Sequence, residues 1–177
     1  MVASVSGQLQ LASGSFSHPV GGSLSVPAEE LHGLEAVLLV ENQAVMFAAH
    51  EYRWPSEVQH LPLVFRGSPQ ITPAAVTKAL SGVKQIICFP DYDPQGWMNT
   101  LTAKANGIVV PSMSAIDDIV AEEWDKPQDY TKQHVAREWL GKVNIPRVND
   151  MLARELALSQ ESMAGMELEY LCFAPAS

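Results

Sequence analysis

Gln85-Ile86-Ile87-Cys88-Phe89-Pro90-Asp91-Tyr92-Asp93-Pro94-Gln95-Gly96 is the stretch on which the reading of the chain turns. The apolar run reads as a buried strand, and two carboxylates alternate directly after it, ahead of a proline and a glycine. Open α/β sheets place their ligand sites outside the carboxyl ends of their strands, where Asp91 and Asp93 would sit. A second strand-like run, Ala36-Val37-Leu38-Leu39-Val40, also ends in an acid, Glu41. Like charges held together cost energy unless a cation joins them, so three carboxylates delivered to one sheet edge point to a divalent-metal site. The other reading of these acids is that they sit at helix N-termini, where the dipole favours them.

Outward from this stretch the chain alternates. Ala36–Val40 leads into a helical segment from about Asn42 to Tyr52, with Ala44, Phe47 and Ala48 forming an apolar face, and Arg53-Trp54-Pro55 ends it. Leu61–Phe65 reads as the next strand, closed by Arg66-Gly67-Ser68-Pro69. Thr72-Pro73 opens a helix with Val76 and Leu80 on its buried side, and Gly82 stops it. Pro94 to about Asn106 reads as a helix and Gly107–Pro111 as a short fourth strand. Strands of about five residues alternating with helices predict βαβ units, and therefore a parallel sheet with helices on both faces.

The flanks read differently. Residues 1–33 are a Ser- and Gly-rich lead-in with short alternating pieces, Gln8–Leu11 and Ser23–Val26, and a helical turn at Pro27–Leu31. Residues 113–177 read as a C-terminal helical extension packed on the same domain. Its helices span Ala115–Trp124, Tyr130–Leu140 and a longest pattern from about Arg147 to Met163, with a breaker at Asp125-Lys126-Pro127. Met166–Ala174 reads as a helix end or a closing strand.

The totals bound the answer. A chain of 177 residues is one domain by the usual prior, and 47% hydrophobic with 18% charged residues describes an ordinary globule. No apolar run approaches the ~20 residues of a membrane helix, and Met1–Gly7 lacks the basic start and apolar segment of a signal peptide, so a cytoplasmic location is expected. Cys88 and Cys172 lie far apart and read as reduced, buried thiols. The net charge of −9 argues against gripping nucleic acid unaided, because affinity for DNA comes largely from Lys and Arg releasing counterions.

At Glu41, Asp91 and Asp93 the sequence resembles the Toprim domain of topoisomerases, primases and several nucleases, in which a glutamate ends the first strand and an Asp-x-Asp pair ends a later one. Leu38-Leu39-Val40-Glu41-Asn42-Gln43-Ala44-Val45 and the Asp-Tyr-Asp-Pro-Gln-Gly form place the likeness nearest the A subunit of topoisomerase VI, the meiotic break-forming proteins and the nuclease subunit of the Wadjet plasmid-defence system. The likeness covers about Leu34 to Ser112, and residues 34–112 are accordingly read as a Toprim-like core. Further on, Gln160-Glu161 is similar to a Gln-Glu pair of Wadjet-type nucleases. The resemblance implies a Toprim-like (Rossmann-like) parallel sheet of about four strands and Mg²⁺- or Mn²⁺-dependent cleavage of DNA phosphodiesters. It implies Glu41, Asp91 and Asp93 as metal residues, Glu41 also as catalytic acid or base, and a role such as plasmid or phage defence. Relatives of this subgroup often pair, which implies a homodimer.

Beneath the resemblance, Mg²⁺ takes carboxylate oxygens and waters, so two acids on one loop and a third from a neighbouring strand make a sensible open site. Arg66 is a candidate phosphate contact or a surface ion-pair residue, and Glu161 either approaches the site or is an exposed helical acid. The tyrosine-bearing winged-helix domain of the topoisomerases has no counterpart here, and Tyr92 reads as a packing or orienting residue rather than a nucleophile. The DNA would be held by an additional basic domain or subunit. Two rivals stand beside this reading. One is a non-catalytic Toprim-fold interaction domain that holds a protein partner on its acidic surface. The other is a phosphotransfer domain of the receiver or haloacid-dehalogenase type, which the absence of a lysine at Pro111-Ser112 disfavours.

Overall fold

The computed structural model describes residues 1–67, 73–121 and 127–173. Eight strands run in chain order: β1 (Val2–Ala3), β2 (Gln8–Leu11), β3 (Gly14–Ser17), β4 (Ala36–Val40), β5 (Leu63–Phe65), β6 (Gln85–Phe89), β7 (Gly107–Pro111) and β8 (Leu168–Cys172). The helices are α1 (Gln43–Phe47), α2 (Pro73–Leu80), α3 (Pro94–Thr102), α4 (Met113–Ala121), α5 (Pro127–Lys132), α6 (His134–Leu140) and α7 (Pro146–Ala153). Six strands form one sheet in the order β1-β5-β4-β6-β7-β8, and β2 and β3 pair as a separate hairpin.

The four central strands are parallel, as the βαβ reading predicts, and β4, β6 and β7 occupy the predicted residues. Alternation along them builds two cores. Leu38 and Val40 of β4 and Ile87 and Phe89 of β6 join one cluster with Met46, Trp97, Ile116 and Met151; Val37, Leu39 and Cys88 join another with Leu9, Leu11 and Ala79. Both faces of the sheet are thus covered, one by α1, α4, α6 and α7 and the other by α2 and the β2–β3 hairpin, so the strands read as unbroken apolar runs. Among the described residues no helix is long and apolar enough to cross a membrane.

The chain leaves β4 to one side to make β5 and returns to the other side to make β6. The carboxyl ends of β4 and β6 therefore flank the point where the winding direction reverses, which is where such sheets open a crevice for ligands.

Several expectations are corrected. The sheet has six strands where about four are expected, because β1 of the lead-in pairs antiparallel with β5 and β8 with β7. Ser23–Val26 is not a strand, although Leu24 exchanges two 2.8 Å backbone bonds with Val2. The helix expected from Asn42 to Tyr52 stops at Phe47 and is followed by a 3₁₀ turn, Ala49–Glu51. Its buried residues are Val45, Met46 and Ala49, while Phe47 is 45% exposed, because a five-residue helix capped at Asn42 takes its phase from the cap rather than from a long apolar stripe. The helix over Tyr130–Leu140 is broken at Gln133.

The largest error concerns the C-terminal extension. The long helix ends at Ala153, because Glu155 adopts a left-handed φ of 56°; Leu156 and Leu158 then continue as extended chain, and only Gln160–Met163 coils again, as a 3₁₀ turn. Of the two readings of the last stretch the closing strand holds, over Leu168–Cys172 as β8, antiparallel to β7; Cys172 at its end is exposed rather than buried, because β8 is an edge strand. The expected turn at Ser68-Pro69, the cap at Thr72 and the helix end at Trp124 lie outside the described residues, as do Asp125-Lys126 of the breaker and the end at Ala174.

Candidate functional site

Asn42 caps α1, its side chain accepting from the Ala44 amide at 2.9 Å, and so turns the chain sharply after Glu41 at the end of β4. Beside it, the loop after β6 folds back on itself. A Cβ at Gly96 would lie 2.2 Å from the Asp91 carbonyl oxygen, so only glycine allows this close approach. Tyr92 locks the loop from the other side, exchanging backbone bonds of 2.8 and 3.0 Å with Leu158. Its ring is 1% exposed, and burial pushes its hydroxyl up to about 12, in keeping with the packing role expected of it.

The two aspartates of this loop face different ways. Asp93 is 8% exposed and caps α3, its Oδ1 accepting from the Gly96 amide at 2.7 Å and its Oδ2 from the Gln133 side chain at 2.6 Å. Asp91 instead lines a cavity of about 560 Å³ together with Glu41, Glu161, Asn42, Gln160 and Phe65. Its Oδ1 accepts from the Gln160 amide at 2.7 Å. Burial pushes the Asp91 carboxyl up to about 6; the Gln160 amide opposes this, and the charges of Asp93, Glu41 and Glu161 add to it.

Glu41 is also raised, first by burial and also by Asp93, against the lowering effects of the Arg66 guanidinium, which is ion-paired with it, and of Asn99. Arg66 stands after β5, the strand next to β4, and its role here is that ion pair. Glu161 lies on the 3₁₀ turn rather than on a long helix, where its Oε1 accepts from the Asn42 side chain. The structure thus brings Glu41, Asp91 and Glu161 around one space, while Asp93, expected beside Asp91 as a metal residue, turns toward α3 because the Gly96 amide and the Gln133 side chain take its two oxygens.

Gln160, in the sequence only half of the Gln-Glu pair, joins the site together. It is fully buried, its Oε1 accepts from the Asn42 amide at 2.9 Å, and its Nε2 donates to the Phe89 carbonyl. Its own carbonyl accepts from the Tyr52 hydroxyl at 3.1 Å. One side chain therefore ties the end of β4 to the end of β6. Gln133, whose Oε1 also accepts from the Gln95 amide at 2.8 Å, carried no sequence signal at all.

The donor set is hard oxygen, the kind Mg²⁺ selects, and that ion binds through one or two carboxylates while keeping several waters. Glu41 and Asp91, with Glu161 across the cavity, fit such a water-rich site. They do not make a closed cage: among the described residues no group of three or more His, Cys, Asp and Glu side chains is placed to hold one ion.

Residues 1–170 match the family described as Domain of unknown function (DUF7281), and the chain belongs to that family. No curated protein matches it.

Proposed function

We propose that the chain is a Toprim-like domain, of the topoisomerase VI A subunit and Wadjet nuclease subunit type, that performs Mg²⁺- or Mn²⁺-dependent cleavage of DNA phosphodiesters as the catalytic part of a larger protein. The observation that carries this reading is the placing of Glu41 and Asp91 at the carboxyl ends of adjacent parallel strands, at the switch point of the sheet, around one cavity with Glu161. Acids raised by burial and by neighbouring carboxylates mark the cavity as a candidate functional site, and a cation there would relieve them.

Bound there, the ion would polarise a phosphoryl oxygen and stabilise the oxygen that attacks or leaves. Glu41, already raised, is suited to hold or take up a proton as general acid or base. Arg66 offers a guanidinium that can be transferred from Glu41 to a phosphate once another cation balances Glu41. Asp93 acts by fixing α3 and the loop. With a net charge of −9 the grip on DNA comes from an additional basic domain or subunit, and a homodimer and a role in plasmid or phage defence belong to the same reading.

Calorimetry with Mn²⁺ on the wild type and on Asp91→Asn tests the metal; equal binding, or none in either, sinks it. Supercoiled plasmid incubated with Mn²⁺ and the chain, alone and joined to the sequence that precedes it in the genome, tests the cutting.

A second reading, a non-catalytic Toprim-fold domain that holds a protein partner, is favoured by the commitment of Asp93 to a helix cap and of Glu41 to Arg66. It predicts that Mn²⁺ leaves thermal stability unchanged at pH 8.

A further inference from the structure

Beneath the loop that carries Asp91 and Asp93, buried polar atoms gather without hydrogen-bond partners among the described protein atoms. They are the Tyr92 hydroxyl, Trp97 Nε1, Arg147 Nε and Nη1, and Asp150 Oδ2. All belong to one neighbourhood: the Arg147 guanidinium lies 5.9 Å from the Tyr92 ring centre, the Tyr92 and Trp97 rings are 6.5 Å apart, and the charges of Arg147 and Asp150 both act on the Tyr92 hydroxyl. Leaving several such groups bare in one interior would cost more than a domain can spare, because each forfeits its hydration.

The charges in this neighbourhood are already balanced. Arg147 is 8% exposed, pairs with Glu169 at 2.6 Å and donates to the Pro111 carbonyl; Asp150 accepts from Arg154 at 3.0 Å. Whatever satisfies the remaining atoms must therefore be neutral. It must accept from the guanidinium and the indole, and donate to the carboxylate oxygen. Water does both, and polar interiors with two to four partners on offer are where proteins hold it.

We infer that ordered water bridges the Tyr92 hydroxyl to Arg147 and Asp150, and that through it Tyr92 is a positioning residue for the Asp91–Asp93 loop. The side chain reaches down from between the two aspartates while its backbone is held by Leu158, so the bridge fixes the loop from beneath as Gln160 fixes it from above. Only the purpose of that fixing rests on the proposed metal site; the bridge itself does not.

A crystal structure at high resolution is expected to show water within hydrogen-bonding distance of the Tyr92 hydroxyl; direct pairing of these side chains with one another overturns the inference. In Tyr92→Phe, the amides of Tyr92 and Leu158 are expected to exchange with solvent roughly tenfold faster while those of Leu38 to Val40 keep their rates. Equal acceleration in both places means ordinary destabilisation, and no change means no anchoring; either result overturns the positioning role. Asp150→Ala, which removes the carboxylate end of the bridge, is expected to speed exchange of the same two amides, and exchange at the wild-type rate counts against the bridge. Mn²⁺ affinity is then compared between wild type and Tyr92→Phe, with a several-fold weakening expected. A wild type that binds no Mn²⁺ defeats the metal site alone, while the exchange and crystallographic results still decide the bridge.

Discussion

Asp91 and Asp93 are the same residue type two positions apart on one loop, and the fold treats them as opposites. Asp93 looks inward, with both oxygens taken by the Gly96 amide and the Gln133 side chain, and it earns its place as a helix cap. Asp91 looks into the cavity with one strong donor, the Gln160 amide, and the negative charges of Asp93, Glu41 and Glu161 around it. Of the two, Asp93 stabilises the fold and Asp91 strains it. A carboxylate kept where it costs stability is the better candidate for function, so the comparison shifts the weight of the site from the Asp-x-Asp pair to Asp91, Glu41 and Glu161.

The sharpest way to break the comparison is to remove what holds Asp91 in place. Gln160→Ala leaves the Asn42 amide and the Phe89 carbonyl bare, and is expected to cost about 3 kcal/mol in urea unfolding. A loss below that of Asp93→Ala would show that Gln160 is not the clamp. For Asp93→Ala the loss of the cap and the Gln133 contact is expected to cost about 2 kcal/mol, with α3 fraying at its start.

Asp91→Asn is expected to act the other way. The folded state holds the Asp91 proton more tightly than the unfolded chain, from an ordinary value of 3.8 up to about 6, so the penalty is absent below the lower value, grows between the two and is complete above the upper one. Discounted for solvent screening, removing the charge is expected to add about 1 kcal/mol at pH 8 and nothing below pH 4. Thermal melts across that range check it, and a loss of stability at pH 8 would erase the contrast with Asp93. The smallest effect is expected from Arg66→Gln. Its half-exposed ion pair with Glu41 is worth roughly 0.5 kcal/mol or less in unfolding experiments, while Glu41 should titrate still higher without the guanidinium beside it.

The parallel core was legible because local pattern and buried position agree there. β4, β6 and β7 are short apolar runs bounded by acids, glycine and proline, and each became a strand over those residues. The edges were less so: Leu168–Cys172 read as a helix end or a closing strand and Val2–Ala3 carried no strand signal, because both are strands by virtue of what they pair with, 62 residues away for Val2 and Val64. The helix over Arg147–Met163 failed for a related reason. No glycine or proline marks its end, and Leu158 is drawn into extended chain by its bonds to Tyr92 on a distant loop.

The sequence by itself determined the alternating architecture and the three acids at strand ends, because burial and charge placement follow from residue type and spacing. Which of those acids face one another was decided only by the tertiary structure. The direction of a carboxylate depends on donors that arrive from far along the chain, and Gln133 and Gln160, lying 40 and 69 residues beyond their aspartates, assign Asp93 to the fold and Asp91 to the cavity.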